Sequence, residues 1–309
     1  MESNMSDLDR TAINEALTSA YMLVALTTSQ LPMTSTDATE TQAVTARTSA
    51  TDGAARVVKN IWGDQRHIID NIHSSLRDAR TAHYEFTLPW VTSSGGRGKS
   101  GTGLLANVRF MEYGRRLAAI KTELDAKMAA LGNDYAGVCA RARQSLGTMG
   151  ASVDYPDWAA LQAKVGISIT YDAVPAVGSM SHLSLPAGVV ARLGEINALQ
   201  QERAAKTAIK ACWENAIQPL ATLVANCSKD KTRIHESLLG NIRQVVDAME
   251  AFNINKDPRM DQIRNEISAL LMRYSTEDLR KDPKTRKAAA DDAAKQLKAV
   301  EDVLSNLPW

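Results

Sequence analysis

The sequence predicts a mainly α-helical protein: an elongated bundle of long antiparallel helices with a small two-stranded β insertion. Three observations lead there. Aromatic residues are only 5% of the 309, while Ala, Leu, Lys, Arg and Glu are common, a mixture that favours helix over sheet. Apolar residues recur three and four apart over long stretches, which is the helical period. The segments between those stretches are short, so consecutive helices should pack antiparallel.

Taken in order, residues 1–52 read as an acidic, threonine-rich arm with weak helical character. The arm holds eleven threonines and five more acidic than basic residues. Leu8, Ala12, Leu17, Met22 and Leu26 give an irregular helical period over 8–28, and a second weak helix is expected from residue 38. Residues 53–309 read as the helical body. Val57, Ile61, Ile68, Ile72, Leu76 and Ala79 define an amphipathic helix from Gly53 to Arg80. Tyr84, Phe86 and Leu88 then alternate with polar residues, as in a short strand that Pro89 ends.

A glycine-rich loop over 93–103 follows, and Leu104, Val108, Met111, Leu117, Ile120, Leu124, Met128 and Leu131 trace the next long helix. Gly132 breaks or kinks it before it resumes towards Gly147. DYPDWAALQAKVG reads as a short helix with Pro156 in its first turn, and ISITYDAV as a second strand. The two strands, around 84–91 and 166–174, are expected to pair. From Pro186 to Cys227 one helical pattern runs through Val189, Leu193, Ile196, Leu199, Ile209, Trp213, Ile217, Leu220 and Val224, with Pro219 expected to kink or split it. A helix over 230–252 follows. Asp257 then caps a helix with Pro258 at its first position. A final helix starts at Thr276 or Asp282. No internal repeat of fixed period is present.

Composition excludes some classes of function. The net charge of +1 carries no global signature for a polyanion, so any nucleic-acid contact must be local. Cys139, Cys212 and Cys227 form no CxxC pair and are odd in number, which argues against a disulfide framework and a zinc knuckle and fits a cytoplasmic setting. The acidic start MESNMSDLDR is unlike a secretory signal, and the apolar run Ala20–Leu26 is too short to cross a bilayer. No membrane contact is expected.

One motif invites a nucleotide. SSGGRGKSG at 93–101 contains Gly98-Lys99-Ser100, the end of a phosphate-binding loop. The full pattern needs a glycine at 93, where Ser93 stands. It also needs a helix directly after the lysine, where Gly101 and Gly103 intervene. The stretch is therefore read as a flexible or partner-ordered loop. Around it, Arg97, Lys99, Arg109, Arg115, Arg116 and Lys121 face one acid, Glu112. That local excess could follow a phosphate backbone, with Tyr113 stacking on a base. His67, His73, His83, His182 and His235 are scattered without ligand spacing, and no GxSxG elbow occurs. Neither a metal, a cofactor nor a catalytic residue is assigned.

Three stretches, EFTLPW at 85–90, DYP at 154–156 and NIRQVVDAMEAFNINKDPRM at 241–260, together resemble an uncharacterised, mostly helical family from phages, plasmids and related mobile elements. Its genes often stand near MoxR-type AAA+ ATPases and von Willebrand A-type proteins. The resemblance covers roughly residues 55–300 and implies a phage or mobile-element origin and an ATPase partner. It supplies no catalytic residues. Leu307-Pro308-Trp309 echoes Leu88-Pro89-Trp90 and is a candidate peptide ligand, against the simpler reading of a Trp packed down the last helix. The functional expectation is a non-enzymatic interaction or assembly protein of the bacterial host cytoplasm, acting through a protein partner or self-assembly, with an adaptor for an AAA+ ATPase as its specific form. The alternative is a DNA- or RNA-binding accessory protein using residues 93–121.

Overall fold

A computed structural model describes residues 7–90, 101–176, 186–229, 234–254 and 256–307, and the side chains from residue 13 onward. It is 71% helix and 11% strand, which makes the protein mainly α with a small antiparallel sheet. In chain order the elements are α1 (Asp7–Ala20), β1 (Tyr21–Ser29), β2 (Thr34–Thr36), α2 (Ala38–Thr48), β3 (Val58–Asn60), α3 (Arg66–Phe86), β4 (Thr87–Pro89), β5 (Thr102–Ala106), α4 (Phe110–Asn133), α5 (Tyr135–Ser145), α6 (Trp158–Gln162), β6 (Gly166–Ala173), α7 (Ala187–Cys227), α8 (Ser237–Ala251), α9 (Pro258–Arg273), α10 (Thr276–Lys281) and α11 (Pro283–Ser305).

The chain divides into two compact units, each built from separated stretches. The first comprises Met1–Ala25, Tyr84–Met111 and Thr170–Trp309; the second comprises Leu26–His83 and Glu112–Ile169. This replaces the expected division into an arm over 1–52 and a body over 53–309. The arm contributes Leu17, Tyr21 and Val24 to buried positions, so it is not an appendage.

In the first unit, α7 packs against α8 and α11, and α9 against α8 and α11. Small side chains make the α7–α11 contact close. Ala204, Ala205, Ala208, Ala211 and Ala216 on α7 are buried, as are Ala289, Ala290 and Ala293 on α11. Pro219 does not split α7. Asn215, whose carbonyl loses its usual helical donor there, is exposed, so water can take the bond. Asp257 caps α9 as its sequence position predicts, accepting from the Arg259 amide at 2.9 Å. Asn253 brackets the same turn: its Oδ1 accepts from the Asp257 amide at 2.7 Å, and its Nδ2 donates to the Asp257 carbonyl at 3.2 Å.

The sheet is larger than expected. It has four strands in the order β4-β5-β1-β6, and a separate antiparallel pair joins β2 to β3. β5 pairs antiparallel with β1, Tyr21 opposite Ala106, and with β4, Leu88 opposite Leu104. The two segments expected to pair with each other thus stand at opposite edges. β1 falls within the helix expected over 8–28. Its run of Tyr21, Val24, Thr27 and Thr28 suits a strand better than a helix. At 84–86 the correction is reversed. Ile72, Leu76, Ala79, His83 and Phe86 form one buried helical stripe, so α3 continues to Phe86, while Tyr84 is 63% exposed.

The second unit is built on α3, α4 and α5. Its core joins Ile69, Ile72 and Leu76 to Leu124, Met128 and Leu131 and to Val138 and Cys139. Trp62 is buried there, its indole N–H donating to the Pro32 carbonyl at 2.8 Å. Gly132 does not break α4. A Cβ at that position would lie 2.6 Å from Trp158 Cζ2, so the glycine makes room for a ring.

Candidate functional site

Five of the seven residues assigned to a basic interface are among the described residues. Arg97 and Lys99, with most of the glycine-rich loop, lie outside the described residues, as do Pro308 and Trp309. Arg109, in the first unit, follows β5 in a short 3-10 turn and is 8% exposed. Its guanidinium lies 4.4 Å from the centre of the Phe86 ring, and Nη1 donates to the Glu85 carbonyl at 3.4 Å. It packs the strand–helix junction rather than facing solvent.

Tyr113, in the second unit, is fully buried on α4, its hydroxyl 2.9 Å from His83 Nδ1. A ring so placed has no face for a base, which removes the stacking role. The signal was in the sequence: Tyr113 extends the buried stripe of Leu117, Ile120, Leu124, Met128 and Leu131 by one turn.

Arg115, Arg116 and Lys121 remain exposed on α4. They share the helix with acids. Lys121 pairs with Asp125 at 3.0 Å, and Lys127 with Glu123 at 2.6 Å. The Glu123 carboxyl is held below its ordinary range chiefly by the hydrogen bond from Lys127. The described part of this face is therefore of mixed sign.

The three cysteines are buried. Burial pushes the Cys212 thiol up to about 12, and Cys139 and Cys227 are also raised by burial, so the thiolate is disfavoured at neutral pH. Among the described residues no group of three or more His, Cys, Asp or Glu is placed to hold a metal ion. No described helix is long and apolar enough to cross a membrane.

A cavity of about 450 Å³ in the first unit is lined in part by Glu236, Arg243, Met272, Arg273, Tyr274 and Asp278. The Tyr274 hydroxyl donates to Asp292 at 2.8 Å and Arg273 pairs with the same carboxylate at 2.6 Å. Burial raises the Tyr274 hydroxyl above its ordinary range. The cavity mixes both signs of charge, and the Ser275 hydroxyl on its wall donates to the Asp278 carboxylate at 2.5 Å while capping α10.

The feature that sequence reasoning missed is apolar. Val189, Ile196 and Leu199, which spacing places in one helical pattern, are 43%, 44% and 51% exposed. On an ideal helix the three fall within an arc of about 80°. The buried residues of α7 begin only at Asn197. The first three turns of α7 thus carry an apolar stripe that faces solvent.

No family model, curated protein or solved structure matches the chain. The stretches at 85–90, 154–156 and 241–260 each contribute a packed aromatic residue. Within them Trp90 is buried, Tyr155 donates to the Ile61 carbonyl, and Phe252 stacks on Tyr21 with centroids 6.0 Å apart.

Proposed function

We propose that this chain is a non-enzymatic interaction and assembly protein of a phage or mobile element, and that it holds a protein partner on the first turns of α7. The observation that carries this reading is the exposure of Val189, Ile196 and Leu199 on one face of a helix whose buried residues begin only at Asn197. An apolar stripe of this kind is the surface that a partner helix or groove buries. The resemblance makes an AAA+ ATPase the partner to test first. The test is co-purification of tagged protein with ATPases encoded beside its gene, for wild type and for Ile196→Glu/Leu199→Glu. Capture by wild type and loss in the double variant supports the reading. Capture that is absent, or unchanged by the variant, removes it.

A second reading, nucleic-acid contact, draws on the exposure of Arg115, Arg116 and Lys121. It ranks lower because Arg109 and Tyr113 are used in packing and because acids alternate along α4. Binding of labelled single- and double-stranded DNA at two salt concentrations decides it: a phosphate-tracking surface binds more tightly at low salt. No binding at low salt ends this reading.

A further inference from the structure

We infer that β6 is a self-association edge, on which a second copy of this chain pairs antiparallel to extend the sheet. The two edges of the sheet are treated differently. β4 is three residues long and ends in Pro89, which cannot donate to a further strand. β6 is eight residues long, reads GISITYDA, and contains no proline and no lysine. Among the described residues only β1 is hydrogen-bonded to it. Its second half, Thr170–Ala173, is exposed throughout. An edge that is long, β-branched and unblunted is a template for another strand.

The pattern of β6 selects a second copy as the occupant. In a two-fold antiparallel pair, directly opposed residues must lie on the same face, so the axis passes midway between one residue and its own copy. Centred on Thr170, the register places Thr170 opposite Thr170, Ser168 opposite Asp172, Ile169 opposite Tyr171 and Ile167 opposite Ala173. One face then carries a threonine pair flanked by two Ser–Asp pairs, and the other two Ile–Tyr pairs. These are the cross-strand combinations that stabilise sheets. The single charge of the strand, Asp172, never faces its own copy. Tyr171 is already oriented: its ring meets Phe110 edge-on at 5.4 Å while 44% of the residue stays exposed. One strand edge is a small interface, so the pairing is a concentration-dependent equilibrium rather than an obligate dimer. This surface is separate from the stripe on α7, and loss of either leaves the other standing.

The test is sedimentation of the full chain over about a hundredfold range of concentration. Wild type shifts from 33.5 kDa towards twice that mass. Thr170→Lys and Thr170→Glu each stay monomeric, because like charges then oppose one another at the axis. Mixing the two restores the dimer. Thr170→Cys provides a second measurement. Opposed Cα atoms about 5 Å apart are within reach of a disulfide, and the three native cysteines are buried, so oxidation yields a covalent dimer. Far-UV circular dichroism identical to wild type confirms that the variants are folded. A wild type that stays monomeric across the range overturns the inference. So does a Lys variant that still dimerises, or a mixture that pairs no better than its components.

Discussion

Lys59 Nζ lies 2.9 Å from the Asp37 carboxylate, and only 3% and 4% of the two side chains are exposed. The ammonium also donates to the Met149 carbonyl and to the Ser152 hydroxyl. Asp37 in turn accepts from the Glu40 amide at the start of α2. A buried charge pair thus ties β3, the N-cap of α2 and the turn at 147–152 to one point.

Lys59→Met should lower the urea midpoint sharply, because it leaves a buried carboxylate without its cation. Adding Asp37→Asn should recover part of the loss, since asparagine still caps and carries no charge. Urea unfolding of the wild type, the single and the double variant checks this; a double variant weaker than the single contradicts it.

Asp257 is held below its ordinary carboxylate range, chiefly by the Arg259 side chain. Asp257→Ala removes the α9 cap and should cost about 1–2 kcal/mol in denaturant unfolding, whereas Asp257→Asn should cost less.

His73 gives stability a pH dependence. It is 5% exposed, its Nε2 has no hydrogen-bond partner, and burial lowers its pKa below 6.5. The nearby charges are mixed, Asp70 favouring the imidazolium and Arg77 and Arg80 opposing it. A depressed folded pKa means the unfolded chain binds the proton more readily. This contribution is therefore present above pH 6.5 and is lost as the pH falls below it. Urea midpoints at pH 7.5 and 5.5 should show the drop, and His73→Met should reduce it.

Gly63 adopts φ +52°, and a Cβ there would lie 1.8 Å from Ser145 Oγ and 3.1 Å from the Ala142 carbonyl. Gly63→Ala should destabilise by about 1–3 kcal/mol through backbone strain, with a further loss as Ser145 is displaced from the Asp64 amide. Thermal unfolding measures it.

Leu199→Glu should change stability by no more than about 0.5 kcal/mol, because the residue is half exposed, while abolishing partner capture. A large fall in thermal midpoint would show that Leu199 belongs to the core.

What the sequence made legible was local. The Asp257-Pro258 start of α9 follows from two adjacent residues. The stripe of α4 follows from spacing along one helix. What it hid depends on residues far apart. The apolar run from Tyr21 suits helix or strand alike, and its partner Thr102–Ala106 lies in another part of the chain. The same limit holds for Arg109 and Tyr113. Residue type identified Arg109 and Tyr113 as a cation and an aromatic. It could not say that Phe86 and His83 would bury them. Nor does helical spacing state which apolar face meets a neighbour, so the spacing of Val189, Ile196 and Leu199 does not distinguish an exposed stripe from a core one.

The division of the chain bears on its synthesis. Tyr21 cannot find Ala106 until β5 has been made, and the first unit lacks α7 to α11 until the last residues emerge. The second unit, complete by Ile169, is free to fold while the rest is still being translated. A nascent chain therefore carries Tyr21 without the Phe252 ring it stacks on until α8 has been made. The strands are all made by Ala173, and those of the first unit wait on helices that follow them.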